Sequence, residues 1–203
     1  MGKVIDRHKQ LLKEKFHFRR GDCLPYTPWL KKASRDTIAE FCAEMNFNEG
    51  AEIGVRAGTF SKIFLDMNPN LHMRCIDSWL PYSRVGTQER QDAYYQMCLE
   101  ILAPYKERVD IIKMSSQVAL SVVPDDSLDF VYIDAMHDFD NVIMDLIGWN
   151  KKVKRGGIIS GHDYYNFYNG GVITAVDAYV KAHNIQEWCV TKEHLPSFFW
   201  IKP

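Results

Sequence analysis

The stretch that most constrains the fold is Leu128–Ala135, with the sequence LDFVYIDA, which is apolar over most of its length. Such a run is typical of a strand that is buried on both faces of a parallel sheet. Other strand-like runs lie at Ala51–Val55, His72–Ile76, Arg108–Lys113 and Ile158–Gly161, and stretches with helical spacing separate them. This alternation predicts an α/β fold with a mostly parallel sheet.

The composition narrows the class of protein. The chain has 203 residues, of which 46% are apolar, and a net charge of −1. This length fits one domain with a sizeable core, and the charge balance argues against a nucleic-acid or membrane partner. No apolar run reaches the roughly 18 residues that a membrane span needs. Five cysteines without a C-x-x-C pair are typical of reduced, buried thiols, so we expect a cytoplasmic protein.

A glycine turn follows the first of these predicted strands. In the sequence AEIGVRAGTFS, Gly54 and Gly58 bracket the turn, and a helix is predicted over Thr59–Met67. Such a turn lets the backbone approach a nucleotide-like ligand, which the first helical N–H groups face. The glycines do not match the G-x-G-x-x-G spacing of a pyrophosphate site, and Glu52 would repel phosphate. A carboxylate suits a cationic ligand end, such as an amino group or a sulfonium; the alternative is a purely structural turn.

Polar residues follow the predicted strands at their carboxyl ends. Asp77 lies about 20 residues beyond the glycine turn, where an acid can accept both hydroxyls of a ribose. The ends of the later strands carry Ser115, Asp134 with His137, and His162 with Asp163. Because ligands of open α/β sheets bind at the carboxyl ends of the strands, we expect these side chains to converge on one rim.

Both ends of the chain add elements to this pattern. Residues 3–20 have the spacing of a basic amphipathic helix, which either packs on the domain or contacts an acidic substrate or a second subunit of a homodimer. A loop with Tyr26 and Trp29 follows. At the other end, Glu187–Thr191 and Ser197–Ile201 read as strands without a helix between them, which favours an antiparallel hairpin. A turn is predicted at Lys154–Gly157.

Five stretches together form a family pattern. They are Glu52-Ile-Gly54-Val-Arg-Ala-Gly58, Ile76-Asp77-Ser78-Trp79, Val131-Tyr-Ile-Asp134-Ala-Met-His137, Trp149 with Gly156-Gly157, and Gly161-His162-Asp163-Tyr164. With them the chain resembles the class I S-adenosylmethionine-dependent methyltransferases, in the small-molecule branch whose members often accompany sugar or secondary-metabolite pathways. The resemblance covers residues 51–203, as a cofactor-binding methyltransferase domain. Residues 1–50 lie outside it and are expected to form an N-terminal helical extension on the substrate side.

The resemblance implies a Rossmann-like seven-stranded sheet, mostly parallel with an antiparallel last strand and helices on both faces. It also implies roles for individual residues. The expected cofactor-binding residues are Glu52, Gly54, Arg56, Gly58, Thr59, Asp77, Ser78, Trp79, Met114, Ser115, Asp134 and His137. Among these, Asp77 would take the ribose hydroxyls and Asp134 would lie near the methionine amine. Arg56 stands close to the place where many members have a third glycine.

The implied reaction is transfer of a methyl group, most simply to an oxygen of a small polar acceptor. His137 and His162 are candidate bases for the acceptor hydroxyl, because the pKa of histidine lies near neutrality, and Asp163 could orient His162. Alternatively, Asp134, His162 and Asp163 hold a divalent metal such as Mg²⁺. Two other functions stay open at this point: a nicotinamide-dependent oxidoreductase on a similar sheet, and a non-catalytic cofactor-binding protein.

Overall fold

The structure, a computed structural model, describes residues 2–17, 33–82, 86–166 and 168–203. These ranges contain seven strands and seven α-helices, which alternate from the first strand to the sixth. The strands are β1 (Glu49–Ile53), β2 (His72–Asp77), β3 (Val109–Lys113), β4 (Leu128–Ile133), β5 (Val153–Gly161), β6 (Trp188–Val190) and β7 (Phe198–Ile201). The helices are α1 (Gly2–Lys15), α2 (Arg35–Glu44), α3 (Thr59–Met67), α4 (Gln88–Leu102), α5 (Ser116–Ala119), α6 (Phe139–Lys152) and α7 (Gly171–Ala182). The predicted loop with Tyr26 and Trp29 lies outside the described residues.

The strands form one sheet in the order β3-β2-β1-β4-β5-β7-β6. The first five pair in parallel, and β7 pairs antiparallel with both β5 and β6. This arrangement confirms the predicted Rossmann-like sheet with its antiparallel last strand. The strand order places the carboxyl ends of β1, β2, β4 and β5 on one rim.

Two hydrophobic cores cover the two faces of the sheet, and β4 contributes to both. Its residues alternate strictly, with Phe130 and Tyr132 in the core beneath α2 and α3, and Val131 and Ile133 in the core beneath α6 and α7. This alternation explains why the run is apolar almost throughout, since neither face of the strand meets water.

The predicted turn at Lys154–Gly157 is wrong, because these residues belong to β5. Gly156, at φ +85°, donates its N–H to the carbonyl of Lys202 (2.8 Å), and Lys202 donates back to the carbonyl of Gly157 (2.8 Å). A Cβ on Gly157 would lie 2.4 Å from the carbonyl oxygen of Asp129. Gly157 therefore allows close strand contact, and Gly156 supplies a left-handed backbone conformation, beside a register shift between β4 and β5.

The N-terminal helices share the core of the sheet. Phe16 is fully buried, and its ring lies 5.7 Å from that of Phe41 on α2 and 5.1 Å from that of Phe199 on β7. The Nδ1 of His8 on α1 lies 2.8 Å from the carbonyl oxygen of Gly156. The division expected at residue 50 falls inside β1, and the assignment of residues 1–50 to the substrate side stays a prediction.

Two other expectations concern the whole chain. Cys42, Cys75, Cys98 and Cys189 are buried and free, whereas Cys23 lies outside the described residues. Among the helices that the structure describes, none is long and apolar enough to cross a membrane.

Candidate functional site

A cavity of about 580 Å³ opens at the carboxyl ends of the central strands. Most of the site residues predicted from the sequence line this cavity. They are Glu52, Gly54, Arg56, Thr59, Asp77, Ser78, Ser115, Asp134, His137, His162 and Asp163. The expected convergence on one rim is thus present in the structure.

Gly58, Trp79 and Met114 do not line this cavity. Trp79 is completely buried, its ring centroid lies 4.7 Å from that of Tyr95, and its Nε1 donates to the carbonyl of Arg56 (2.8 Å). The Trp79 side chain therefore lies outside the cavity, and its expected contact with the adenosine stays a prediction. The residue supports the glycine turn from behind, because its indole satisfies a carbonyl of that turn.

The glycine turn needs its glycines for two different reasons. Gly54, at φ +92°, passes so close to β4 that an added Cβ would lie 2.1 Å from the carbonyl oxygen of Asp134. Gly58, at φ +78°, precedes α3 and donates its N–H to the carbonyl of Val55 (2.9 Å). Arg56 also has a positive φ, +53°. It therefore adopts a conformation that glycine favours, close to the place where the resemblance implies a third glycine.

Asp77 joins the end of β2 to the glycine turn. One carboxylate oxygen accepts the backbone N–H of Arg56 (2.8 Å), and the other accepts the backbone N–H of Trp79 (2.8 Å). Each oxygen keeps a further lone pair for a ligand in the cavity. Asp77 is thus fixed in place before any ligand binds.

Glu52 lies at the inner wall of the cavity and is only 2% exposed. The hydroxyl of Ser61 donates a hydrogen bond to its carboxyl group. Burial raises the pKa of Glu52 to about 8, although the Ser61 hydrogen bond opposes this shift. In the protein without ligand, Glu52 is therefore mostly neutral at pH 7, and not the charged group that the sequence suggested.

Two aspartates and two histidines form a compact cluster at the ends of β4 and β5. His137 Nε2 lies 2.9 Å from Asp163 Oδ2 and 3.7 Å from Asp134 Oδ1. His162 Nδ1 lies 3.1 Å from Asp163 Oδ1 and 3.7 Å from Asp134 Oδ2. Asp163 is placed between the two rings by a left-handed backbone conformation, at φ +58°.

The cluster shifts the acidity of its members in opposite directions. Burial lowers the pKa of His137, but its interactions with Asp134 and Asp163 raise it to about 9. Burial likewise opposes protonation of His162, and the two aspartates still raise its pKa. Burial raises the pKa of Asp163, but hydrogen bonds from both histidines hold it well below its usual range. The contacts within the cluster therefore favour the charged forms of the two histidines and of Asp163.

The cavity also contains residues that the sequence analysis missed. Asp145 on α6 is buried and accepts hydrogen bonds from the hydroxyl of Ser116 and from Gln117 Nε2 (2.8 Å). Burial raises the pKa of Asp145 to about 6, against those hydrogen bonds. A carboxylate on the apolar face of a predicted helix was the available signal. Arg35, at the start of α2, also lines the cavity, and no sequence pattern marks it.

Comparison with known proteins identifies the family. Residues 51–164, more than half of the chain, match a family model described as a methyltransferase domain. This match disfavours the oxidoreductase alternative. A search of curated proteins gave no match to the chain.

Several solved structures share the fold. The O-methyltransferase NovP is 19% identical, with a TM-score of 0.64 over 83% of this chain and 79% of that one. An O-methyltransferase from Bacillus cereus, in complex with SAH, is 12% identical, with a TM-score of 0.60 over 97% and 89% of the two chains. The O-methyltransferase TomG from Streptomyces achromogenes, in complex with SAM, is 10% identical, with a TM-score of 0.60 over 98% and 90%. The fold and the family match agree, and the chain belongs to this methyltransferase family.

Proposed function

We propose that this protein transfers the methyl group of S-adenosylmethionine to an oxygen of a small polar acceptor, such as a sugar or another metabolite. The observation that carries the proposal is the single cavity that joins the glycine turn and Asp77 to the aspartate–histidine cluster. One part suits a nucleoside with a cationic end, and the other suits proton transfer from a hydroxyl group. The neighbours whose structures contain SAM or SAH support the choice of donor.

The cofactor is proposed to lie across the ends of β1, β2 and β3. Asp77 would accept the ribose hydroxyls, because its position is already fixed by two backbone N–H groups. Ser78 and Ser115 would border the adenosine, and Asp145 lies on the same side of the cavity, beside Ser116. The methionine end would then pass Gly54, Arg56 and Thr59 towards Glu52 and Asp134.

Methyl transfer is a displacement at a carbon that the sulfonium already activates, so the protein contributes mainly positioning. An acceptor hydroxyl must also lose its proton. We propose His162 as the base, Asp163 as the residue that orients its ring, and His137 as the residue that holds Asp163 from the other side. The short contacts on both sides of Asp163 support this division of roles.

The same cluster fits a divalent cation. Asp134, His162 and Asp163 each offer a ligand atom, and these atoms lie within 4.8 Å of one another. The two carboxylates suit Mg²⁺, whereas the single imidazole favours a first-row transition metal. Such an ion would lower the pKa of the acceptor hydroxyl. His162 would then be a ligand and not a base.

The experiment that tests the function combines binding with turnover. Calorimetry should show binding of S-adenosylmethionine. Asp77→Ala should weaken this binding by at least about tenfold, because the ribose hydroxyls lose their hydrogen bonds to a charged carboxylate. Asp92→Ala, an exposed helix position outside the cavity, is the matched control. Transfer of labelled methyl to a panel of hydroxylated metabolites then separates an enzyme from a non-catalytic binding protein. Unchanged affinity in Asp77→Ala would contradict the ribose role.

Two further measurements separate the routes for the proton. His162→Ala should slow methyl transfer far more than it weakens cofactor binding, whether His162 is a base or a ligand. Full activity after exhaustive chelation excludes the metal route. Activity that disappears with chelator and returns with Mg²⁺ excludes the route by histidine alone.

We also propose that the protein works in the cytoplasm on a free small molecule, without nucleic acid. The near-zero net charge and the four buried free thiols support this setting. A homodimer is proposed as well, and light scattering of the purified protein tests it.

A further inference from the structure

Arg35 is the first residue of α2, and its backbone is held firmly at the edge of the cavity. Its N–H donates to Glu193 Oε1 (2.9 Å), an oxygen that also accepts the hydroxyls of Thr191 (2.7 Å) and Ser197 (3.0 Å). The carbonyl of Ala33 accepts the N–H of Lys192 (3.1 Å). The segment between β6 and β7 therefore fixes where the Arg35 side chain begins.

The guanidinium of Arg35 lies over an aromatic ring inside the cavity. Its central carbon is 4.9 Å from the ring centroid of Phe60, which is itself buried. A cation–π contact of this kind holds the guanidinium over the ring and leaves its N–H groups available for hydrogen bonds.

No carboxylate of the described residues forms an ion pair with the Arg35 side chain. Asp134 and Asp163 contact the two histidines of the cluster, and Glu52 is mostly neutral. Among the described residues, Arg35 therefore brings to the cavity a positive charge that no ion pair neutralises. A planar, oriented guanidinium is suited to two-pronged binding of a carboxylate or a phosphate.

We infer that Arg35 binds an anionic oxygen group, a carboxylate or a phosphate, of a molecule held in the cavity. Two molecules can supply such a group: the methyl donor, through the carboxylate of its methionine part, and the acceptor. The inference rests on the proposed function for the identity of these molecules. It adds a residue that selects the charge of the ligand.

The first arm of the test uses two thioethers that differ in the amino-acid end. S-adenosylhomocysteine has the carboxylate, and 5′-methylthioadenosine lacks it. If Arg35 binds the donor, Arg35→Gln should lower the affinity for S-adenosylhomocysteine by at least about tenfold, because the charged two-pronged hydrogen bond to the carboxylate is lost. The affinity for 5′-methylthioadenosine should stay unchanged. Arg35→Lys should recover part of the affinity, since lysine keeps the positive charge but cannot form the two-pronged hydrogen bond.

The second arm tests the acceptor as the source. Acetate or inorganic phosphate is added to the protein saturated with S-adenosylhomocysteine, and the Nε–H signal of Arg35 is followed by NMR. A saturable shift, with unchanged S-adenosylhomocysteine affinity in Arg35→Gln, assigns the anion to the acceptor. Arg155, which is exposed near the opposite end of β5, serves as the reference signal, and Arg155→Gln serves as the control variant.

Unchanged affinity together with an Arg35 signal that moves no more than that of Arg155 would overturn the inference. Failure of the proposed function gives a different result, because the wild-type protein would then bind neither thioether. In that case titration of the free protein with acetate and phosphate decides whether Arg35 binds anions.

Discussion

Glu52 shows how the fold changes the chemistry of a single residue. Its carboxyl group is buried beside Ser61, at the wall of a cavity proposed to hold a sulfonium and an amino group. Burial in an apolar setting favours the neutral acid, whereas a cationic ligand favours the carboxylate. Binding of the cofactor should therefore remove a proton from Glu52.

The affinity for S-adenosylmethionine is accordingly expected to increase as the pH rises to about 8, by up to about tenfold per pH unit. Below this value the proton must be displaced, and above it Glu52 is already ionised. Calorimetry in two buffers with different ionisation enthalpies measures the proton release directly at neutral pH.

Glu52→Gln is the matched variant, because it keeps the size of the side chain and cannot ionise. It should show a smaller proton release than the wild type. The unliganded wild type should also lose stability relative to Glu52→Gln as the pH rises from 4.5 to about 8. In that window the Glu52 carboxyl group is ionised in the unfolded chain but stays protonated in the folded protein. An equal proton release in both proteins would contradict the role of Glu52.

At the scale of elements, the glycine turn depends on the contact between β1 and β4. Gly54→Ala should destabilise the protein by at least about 3 kcal/mol, because its Cβ would overlap the backbone of Asp134 and force the two strands apart. Urea unfolding measures the loss.

Gly86→Ala is the control for backbone conformation alone. Gly86 has almost the same φ, +91°, but among the described residues its added Cβ would meet only the flexible side chain of Arg90. This variant should lose only about 1–2 kcal/mol. Equal losses in the two variants would show that the conformation, and not the contact with β4, makes glycine necessary at position 54.

The sequence predicted most elements because their patterns are local. The alternation of Phe130 and Tyr132 with Val131 and Ile133 follows from a strand with two buried faces. The glycines at 156 and 157 were misread as a turn, since a pair of glycines permits close strand contact as readily as a reversal of the chain. The buried position of the Trp79 ring could not be predicted, because nothing local shows which side of the turn the ring will occupy.

At the scale of the whole molecule, α1 is an integral part of the core. Phe16→Ala should lower the free energy of unfolding by about 3–5 kcal/mol, because the ring is fully buried between α2 and β7. Val4→Ala, at a position on α1 that is 52% exposed, should change it by less than about 0.5 kcal/mol. Urea denaturation of both variants tests this, and a small loss in Phe16→Ala would show that α1 is only loosely attached.

The candidate site was predictable where its residues follow strands, as Asp77, Asp134 and His162 do. Parallel strands bring such residues to one rim regardless of the distance between them in the chain. Arg35 and Asp145 come to the cavity from helices, through the packing of α2 and α6 on the sheet. Only the assembled molecule shows that these two side chains face the same space.

The hydrogen bonds of Glu193 have a consequence for how this enzyme could diversify. They connect the segment between β6 and β7 to the residue that begins α2, so a substitution there can move Arg35 without touching the cavity. Where the acceptor supplies the anion that Arg35 is proposed to bind, selectivity among acceptors can then evolve through remote changes at the sheet edge, while the donor-binding strands stay as they are.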